Sequence, residues 1–251
     1  MVYTLYEKKG HTVIVTLNRP EKLNAYRSED IRELEKRWYE FRDDPDAWTA
    51  ILTGAGKAFC AGHDLAGLEE LCEPEPPSLH YRNLELFKPV ICAVNGHALG
   101  GGCSMTMGCD IRIAAEDATF GYPQPNYALT SLGGHQWMPR MTFRGIAMEM
   151  MLTGDRMTAQ EAYRVGLINK VVPLAELMPA ALKLAERINS NGPLAVRATK
   201  EDFLLGERQL WQPDGTNFSR LNFAKLWLTS EDVKEGMKAF QEKRKPVYKG
   251  K

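Results

Sequence analysis

Two short stretches hold the residues with which this chain of 251 residues could do chemistry. The first, GHALGGGCSMTMGCD (96–110), places three glycines between an apolar run and a helix-like segment. Lacking side chains, Gly100, Gly101 and Gly102 let their N–H groups approach a ligand closely, and a helix start adds positive potential. Such a site suits a phosphate, a carboxylate, or an oxygen that becomes negative during a reaction. No lysine follows the glycines and the GxGxxG spacing is absent, which excludes a phosphate loop and a dinucleotide fingerprint. The second stretch, AFCAGHDLAGL (58–68), also ends a strand with Ala-Gly ahead of a helix, leaving the His63 N–H at a turn. Two strand ends that each present an N–H can converge on one oxygen. That arrangement is an oxyanion hole, worth about two to three powers of ten in rate per donor. Close helix–strand packing is the alternative use of the same glycines.

The polar side chain nearest the glycine run is Ser104, a poor acid and a poor base. A serine-hydrolase reading fails because Gly-Gly-Cys-Ser is not the GxSxG elbow and no His–Asp partnership can be assigned. Cys103 lies in an apolar setting that raises a thiol pKa, which disfavours a nucleophilic role. His63 is the one neighbouring side chain that titrates near neutrality. His97 and His135 read as structural; Tyr122 and Tyr127 flank Gln124 and read as packing residues, with lining of an acyl pocket or hydrogen bonding to substrate as the alternative, which makes Tyr122 a candidate substrate contact.

These stretches need elements to hold them. Residues 2–20 alternate as two strands around Lys8–Gly10, a hairpin closed by Pro20. SEDIRELEKRWYEFRDD follows as a helix with Ser28 as its N-cap and Ile31, Leu34, Trp38 and Phe41 on one face. TAILTGAG and PVICAVNG read as buried strands, DIRIAAEDATFGYP as two more, and LCEPEPPSLH as a proline-rich surface loop. Strand, strand, helix thus recurs in an α/β layout of stacked units. From about Gly133 the chain is mostly helical, with INKVVP as a short strand, and its apolar faces exceed what a helical tail can bury alone.

Composition fits this picture. Lys plus Arg and Asp plus Glu number 32 each, so the formal charge is zero, which argues against nucleic acid or an anionic membrane as partner. The five cysteines are odd in number and form no CxxC, as expected of buried thiols in a reducing, cytoplasmic compartment. No charged start followed by an apolar core marks a signal peptide, and no apolar run reaches membrane-spanning length.

The blocks NRPEKLNA, AFCAGHDL, NGHALGGGC, CDIRIAAEDATFGYP, AMEMMLTGDRMTAQEAYRVGLINKVV and GMKAFQEKRKP resemble the enoyl-CoA hydratase/isomerase, or crotonase, superfamily, in its order and over nearly the whole chain. The resemblance implies a crotonase-like spiral of β-β-α units in residues 1–190. It implies a helical C-terminal region, 191–251, that joins homotrimers or dimers of trimers. The substrate it implies is an acyl-CoA thioester, as in fatty acid metabolism, with no cofactor beyond the coenzyme A of the substrate and no metal. It places the oxyanion-hole donors at His63 and Gly101. The coenzyme A contacts fall at Lys22, Leu23, Ala25, Ala61, Asp64 and Leu65, with Phe240 and Lys243 reaching the nucleotide end. Asp64 also reads as ordering its turn.

The same resemblance exposes a departure. Hydratases of this family carry two catalytic glutamates, and the corresponding positions here are Ser104 and Gln124. A further acid position used by some members meets only Ser131, Leu132 and glycines. Water addition needs a base for the water and an acid for the α-carbon, a contribution of about 10² to 10⁴-fold. Ser104 and Gln124 orient water by hydrogen bonds but do not titrate near neutrality. Hydration is the default reaction, with decarboxylation or hydrolysis as alternatives that suit an acid-poor site, the more so because AGHD also occurs in decarboxylating members. A non-catalytic acyl-CoA-binding protein is the rival outside enzymology.

Overall fold

The computed structural model describes residues 2–66, 84–131, 134–208, 224–225 and 227–251. The proline-rich stretch 71–80, the helix expected after Leu65, Cys72 and Leu132 lie outside the described residues.

The alternation near the start forms β1 (Thr4–Lys9) and β2 (Thr12–Leu17), paired antiparallel across a turn at Gly10. Next comes α1 (Ser28–Asp43), which buries Ile31, Leu34, Trp38 and Phe41 as their spacing demands. Its cap differs from expectation. Ser28 is already helical, and the cap position is Arg27, whose N–H donates to Asp30 Oδ2 at 2.9 Å. The Asp30 carboxylate reaches back to the Arg27 N–H, and the Asp30 N–H donates to Arg27 O at 3.1 Å, so the cap sits one residue ahead of the expected one.

The remaining strands are β3 (Thr49–Gly54), β4 (Ala58–Cys60), β5 (Val90–Val94), β6 (His97–Leu99), β7 (Ile111–Ala115), β8 (Thr119–Gly121), β9 (Arg156–Thr158) and β10 (Lys170–Val172). They form a six-stranded sheet, ordered β1-β2-β3-β5-β7-β10, and a four-stranded sheet, ordered β4-β6-β8-β9. All pairings are parallel except β1 with β2 and β8 with β9. The chain alternates between them: β3, β5 and β7 in the larger sheet each pass through a short turn to β4, β6 and β8 in the smaller. After β6 comes α2 (Gly101–Gly108), and after β8 comes α3 (Gly134–Met141). This is a spiral of β-β-α units, the expected α/β class.

Both faces of the larger sheet are covered. Ile51, Ile91 and Ile113 meet α6 (Leu174–Asn189), which buries Leu177, Ala181 and Ala185. The alternate residues Ala50, Leu52, Cys92 and Ala114 join the main core with α1. Two buried faces explain why β3 and β5 read as unbroken apolar runs. Between these elements and the tail lie α4 (Arg144–Thr153) and α5 (Ala159–Arg164), then α7 (Pro193–Arg208) and α8 (Glu231–Gln241). The tail is fastened to α8 through Asp232, whose carboxylate accepts from the Lys249 and Gly250 N–H groups at 2.7 and 2.8 Å. Among the described residues no helix is long and apolar enough to cross a membrane. Cys60, Cys92, Cys103 and Cys109 are free and buried.

One buried cation closes the end of α1. Lys88 donates from Nζ to the carbonyl oxygens of Phe41 at 2.7 Å and Asp44 at 2.5 Å, so it caps the helix C-terminus. Burial, and then the nearby Arg197, hold its pKa down from 10.5 to about 8. Between these values the unfolded chain binds more protons than the folded one, so the contribution of Lys88 to stability rises from pH 8 toward 10.5, and as pH falls through 8 that added part is lost while its hydrogen bonds remain. We expect Lys88→Met to cost about 1–2 kcal/mol near neutrality, because two carbonyls lose their donor. Chemical denaturation should show the deficit growing from pH 8 toward 10; a deficit that shrinks would refute the assignment.

Candidate active site

The first turn of α2 is the centre of the site. Gly100 takes φ +54° and ψ −120° and donates its N–H to Gly121 O at 2.8 Å, which sends the chain from β6 into the helix. The first intrahelical bond at this end runs from Ser104 N–H to Gly100 O at 3.0 Å. The N–H groups of Gly101, Gly102 and Cys103 therefore have no acceptor within the helix. At the far end, Arg112 donates to the carbonyls of Cys109 at 2.7 Å and Thr106 at 3.4 Å, and to Leu167 O at 2.7 Å. A cation there complements the helix dipole and fixes α2 against the sheet.

Two backbones can lie this close to α2 because glycine faces them. A methyl group on Gly102 would overlap the carbonyl oxygen of Cys60, so β4 runs directly against the helix. A methyl group on Gly101 would overlap the Tyr26 hydroxyl. Gly62, at φ +100°, sits so near that an added methyl would lie 2.9 Å from Leu99 O and 3.4 Å from Gly101 N. The Gly62–His63 turn and the Gly101 amide are therefore neighbours, as the two sequence stretches suggested. His63 forms a bridge with Tyr26, and its ring Nδ1 lies 3.0 Å from Asp64 O. A carbonyl oxygen can only accept, so Nδ1 carries a proton in this contact.

The loop carrying Lys22, Leu23 and Ala25 is locked to this turn. Arg19 Nη1 reaches Asp64 Oδ2 at 2.9 Å and Ala25 O at 3.1 Å, while Asp64 Oδ1 accepts from Ala66 N–H at 3.2 Å. The Ala66 N–H first, and the Arg19 guanidinium second, hold the Asp64 carboxyl below its ordinary range. Asp64 thus orders the turn. Asn24, unremarked in the sequence, is the pin of the loop: its Nδ2 donates to Ala55, Ala58 and Phe59 carbonyls at 2.9, 2.8 and 3.1 Å. Lys22, Leu23 and Leu65 are exposed beside it, and Ala25 and Ala61 are half-buried.

Ser104 is buried, and its Oγ lies 3.1 Å from the Tyr122 hydroxyl. Burial, followed by the neighbouring Cys103, raises the Tyr122 pKa well above its ordinary value, so this pair stays neutral. Burial also pushes the Cys103 thiol up to about 12, which removes it as a nucleophile. Gln124 approaches Gly100 with Nε2, while its Oε1 is buried without a hydrogen bond among the described residues. Beyond Gln124 and Tyr122 opens a cavity of about 290 Å³, walled by Ser131, His135, Met148 and Met151 among others. No carboxylate, lysine or arginine is among the described residues that line it. No group of three or more His, Cys, Asp or Glu placed to hold a metal occurs among the described residues.

Other residues fall elsewhere. His97 Nδ1 is 2.8 Å from Thr119 Oγ1, tying β6 to β8. Tyr127 is exposed on the short 3-10 turn after Gln124 and does not line the cavity. Phe240 is 81% exposed on α8, and Lys243 follows that helix at φ +53°. His135 is one of the residues that line the cavity.

Known proteins give the fold and the site their context. The family model for enoyl-CoA hydratase/isomerase matches residues 7–251. A probable mitochondrial enoyl-CoA hydratase of Dictyostelium discoideum is 41% identical over 98% of this chain and 90% of its own length. An (E)-benzylidenesuccinyl-CoA hydratase of Thauera aromatica is 40% identical over 97% and 98%. Among solved structures, an enoyl-CoA hydratase from Mycobacterium tuberculosis H37Rv superposes with a TM-score of 0.90 at 35% identity, covering all of both chains. The chain belongs to the enoyl-CoA hydratase/isomerase family.

The Arg19–Asp64 clamp yields a test. Replacing Asp64 with Ala removes two acceptor contacts from a largely shielded pair and should destabilise the fold by about 1–3 kcal/mol in urea titrations. An unchanged midpoint would mean that the loop is held by Asn24 alone.

Proposed function

We propose that this chain processes an acyl-CoA thioester, with the thioester oxygen held by the N–H groups of His63 and Gly101. The reaction we assign is that of a hydratase-type lyase. The observation that carries the reading is the closeness of Gly62 to the Gly101 nitrogen, which a methyl group on Gly62 would touch, and which brings both turns to one place beside the unfilled start of α2. Names of full-length relatives support the substrate class, since several are hydratases of CoA esters. An oxyanion hole stabilises the enolate that any such reaction forms at the thioester. Lys22, Leu23, Ala25, Ala61, Asp64 and Leu65 form the rim along which coenzyme A would lie, with the exposed Lys22 ammonium available to a phosphate. Phe240 and Lys243 contribute from a neighbouring subunit in this reading, and residues 191–251 join three or six chains, an arrangement that light scattering would register directly.

Proton transfer is where this chain departs from its family. In our reading Ser104 and Gln124 occupy the positions of the family's two glutamates. Gln124 Oε1 accepts a hydrogen bond from water and positions it, but cannot remove its proton. Ser104, paired with Tyr122, donates or accepts without ionising. Hydration should therefore be slow at neutral pH. We expect the double substitution Ser104→Glu with Gln124→Glu to raise hydration of a short 2-enoyl-CoA by about 10² or more.

The cavity favours a second reading. Loss of CO₂ from a malonyl-type thioester leaves its bonding electron pair on the α-carbon, which becomes the enolate without any base, and a wall without carboxylates among the described residues suits it. A turnover assay across enoyl-, malonyl- and β-ketoacyl-CoA esters separates the two. Turnover of malonyl-type esters, with no gain from the restored glutamates, would displace hydration. Tight binding with no turnover of any ester would remove catalysis altogether.

A further inference from the structure

Tyr26 has no part in the readings above, yet it touches both halves of the proposed oxyanion hole. Its backbone brackets His63: the Tyr26 N–H donates to Gly62 O at 3.0 Å, and the Asp64 N–H donates to Tyr26 O at 2.8 Å. Its ring meets the His63 imidazole edge-on, with centroids 5.3 Å apart. Its hydroxyl then reaches across to Gly101, where only the absence of a Cβ makes room for it. The residue is 3% exposed.

The hydroxyl forms no hydrogen bond with the described residues, in contrast to Tyr3, which donates to Asn24 O at 2.9 Å, and Tyr122, which pairs with Ser104. For packing alone a phenyl ring would fill this space as well as a phenol. Its position at the open start of α2, beside N–H groups that also lack acceptors, supplies the reason for keeping it. We propose that Tyr26 is a third hydrogen-bond donor to the thioester oxygen, alongside the backbone N–H groups of His63 and Gly101. This rests on the oxyanion-hole reading above. The hydroxyl keeps its proton throughout, and the hydrogen bond strengthens as negative charge gathers on the oxygen. Burial, with the neighbouring Cys60, raises the Tyr26 pKa well above its ordinary value, so the donor form persists at any working pH.

The test uses acetoacetyl-CoA, whose enolate is seen by its ultraviolet absorption, on the full-length protein. Wild-type protein should lower the pH at which the bound ester enolises relative to the free ester. Tyr26→Phe should raise that pH by about one to two units and lower kcat by about 10²-fold, with KM and melting temperature little changed. Tyr26→Leu, which also lacks the oxygen, should show the same loss of enolate and guards against misfolding of the first variant. Equal enolisation in wild type and both variants would overturn the role of Tyr26 while leaving the two backbone donors standing. No enolate enrichment even in wild type would overturn the oxyanion hole itself, and this proposal with it.

Discussion

The close approach of two backbones, made possible by glycine, is the constraint on which the site depends. Gly62 faces the Gly101 nitrogen, Gly102 faces the Cys60 carbonyl, and Gly101 faces Tyr26. A side chain at any of these positions would push α2 away from the ends of β4 and β6. Most of the surrounding architecture serves this contact. The parallel pairing of β4 with β6 and of β6 with β8 brings three strand ends to one edge, and Arg112 anchors the opposite end of α2. Asn24 and the Arg19–Asp64 pair then hold the 19–25 loop beside the His63 turn. The site is rigid because each of its backbone segments is bonded to another segment of the core, and a preorganised donor needs no rearrangement when charge develops.

The chemistry of the pocket follows from what lines it. The Ser104 and Tyr122 hydroxyls and the Gln124 amide stand together beside the start of α2, and burial keeps the tyrosines neutral. Such a lining can orient a substrate and stabilise charge on a carbonyl oxygen, yet among the described residues it offers no carboxylate for proton transfer. Membership of the enoyl-CoA hydratase/isomerase family therefore specifies the frame more firmly than the reaction.

Much of this frame was legible in the sequence. The helix face at Ile31, Leu34, Trp38 and Phe41 and the buried runs of β3 and β5 follow from periodicity, and both are present. The glycine run marks the start of α2 because few other functions require three glycines after a buried strand. What stayed hidden has physical causes. β9 is three residues long and exists only because β8 offers it an edge, so no local pattern announces it. α3 carries Pro139, which discourages a helical reading. Ser28 looked like a cap because its side chain suits one, but the helix begins at Ser28 itself, with Arg27 in the cap position and the Asp30 carboxylate reaching back to its N–H. Tyr26 gave no signal at all. Its importance comes from contacts with residues far along the chain, and a tyrosine near a helix start reads as packing.

The central claim concerns two nitrogens and one oxygen, and a structure of the protein with a slowly reacting acyl-CoA ester tests it most directly. The account predicts the thioester oxygen about 3 Å from both the His63 and Gly101 nitrogens, roughly in line with their N–H bonds. An ester bound with that oxygen in solvent, or within reach of neither nitrogen, would contradict it.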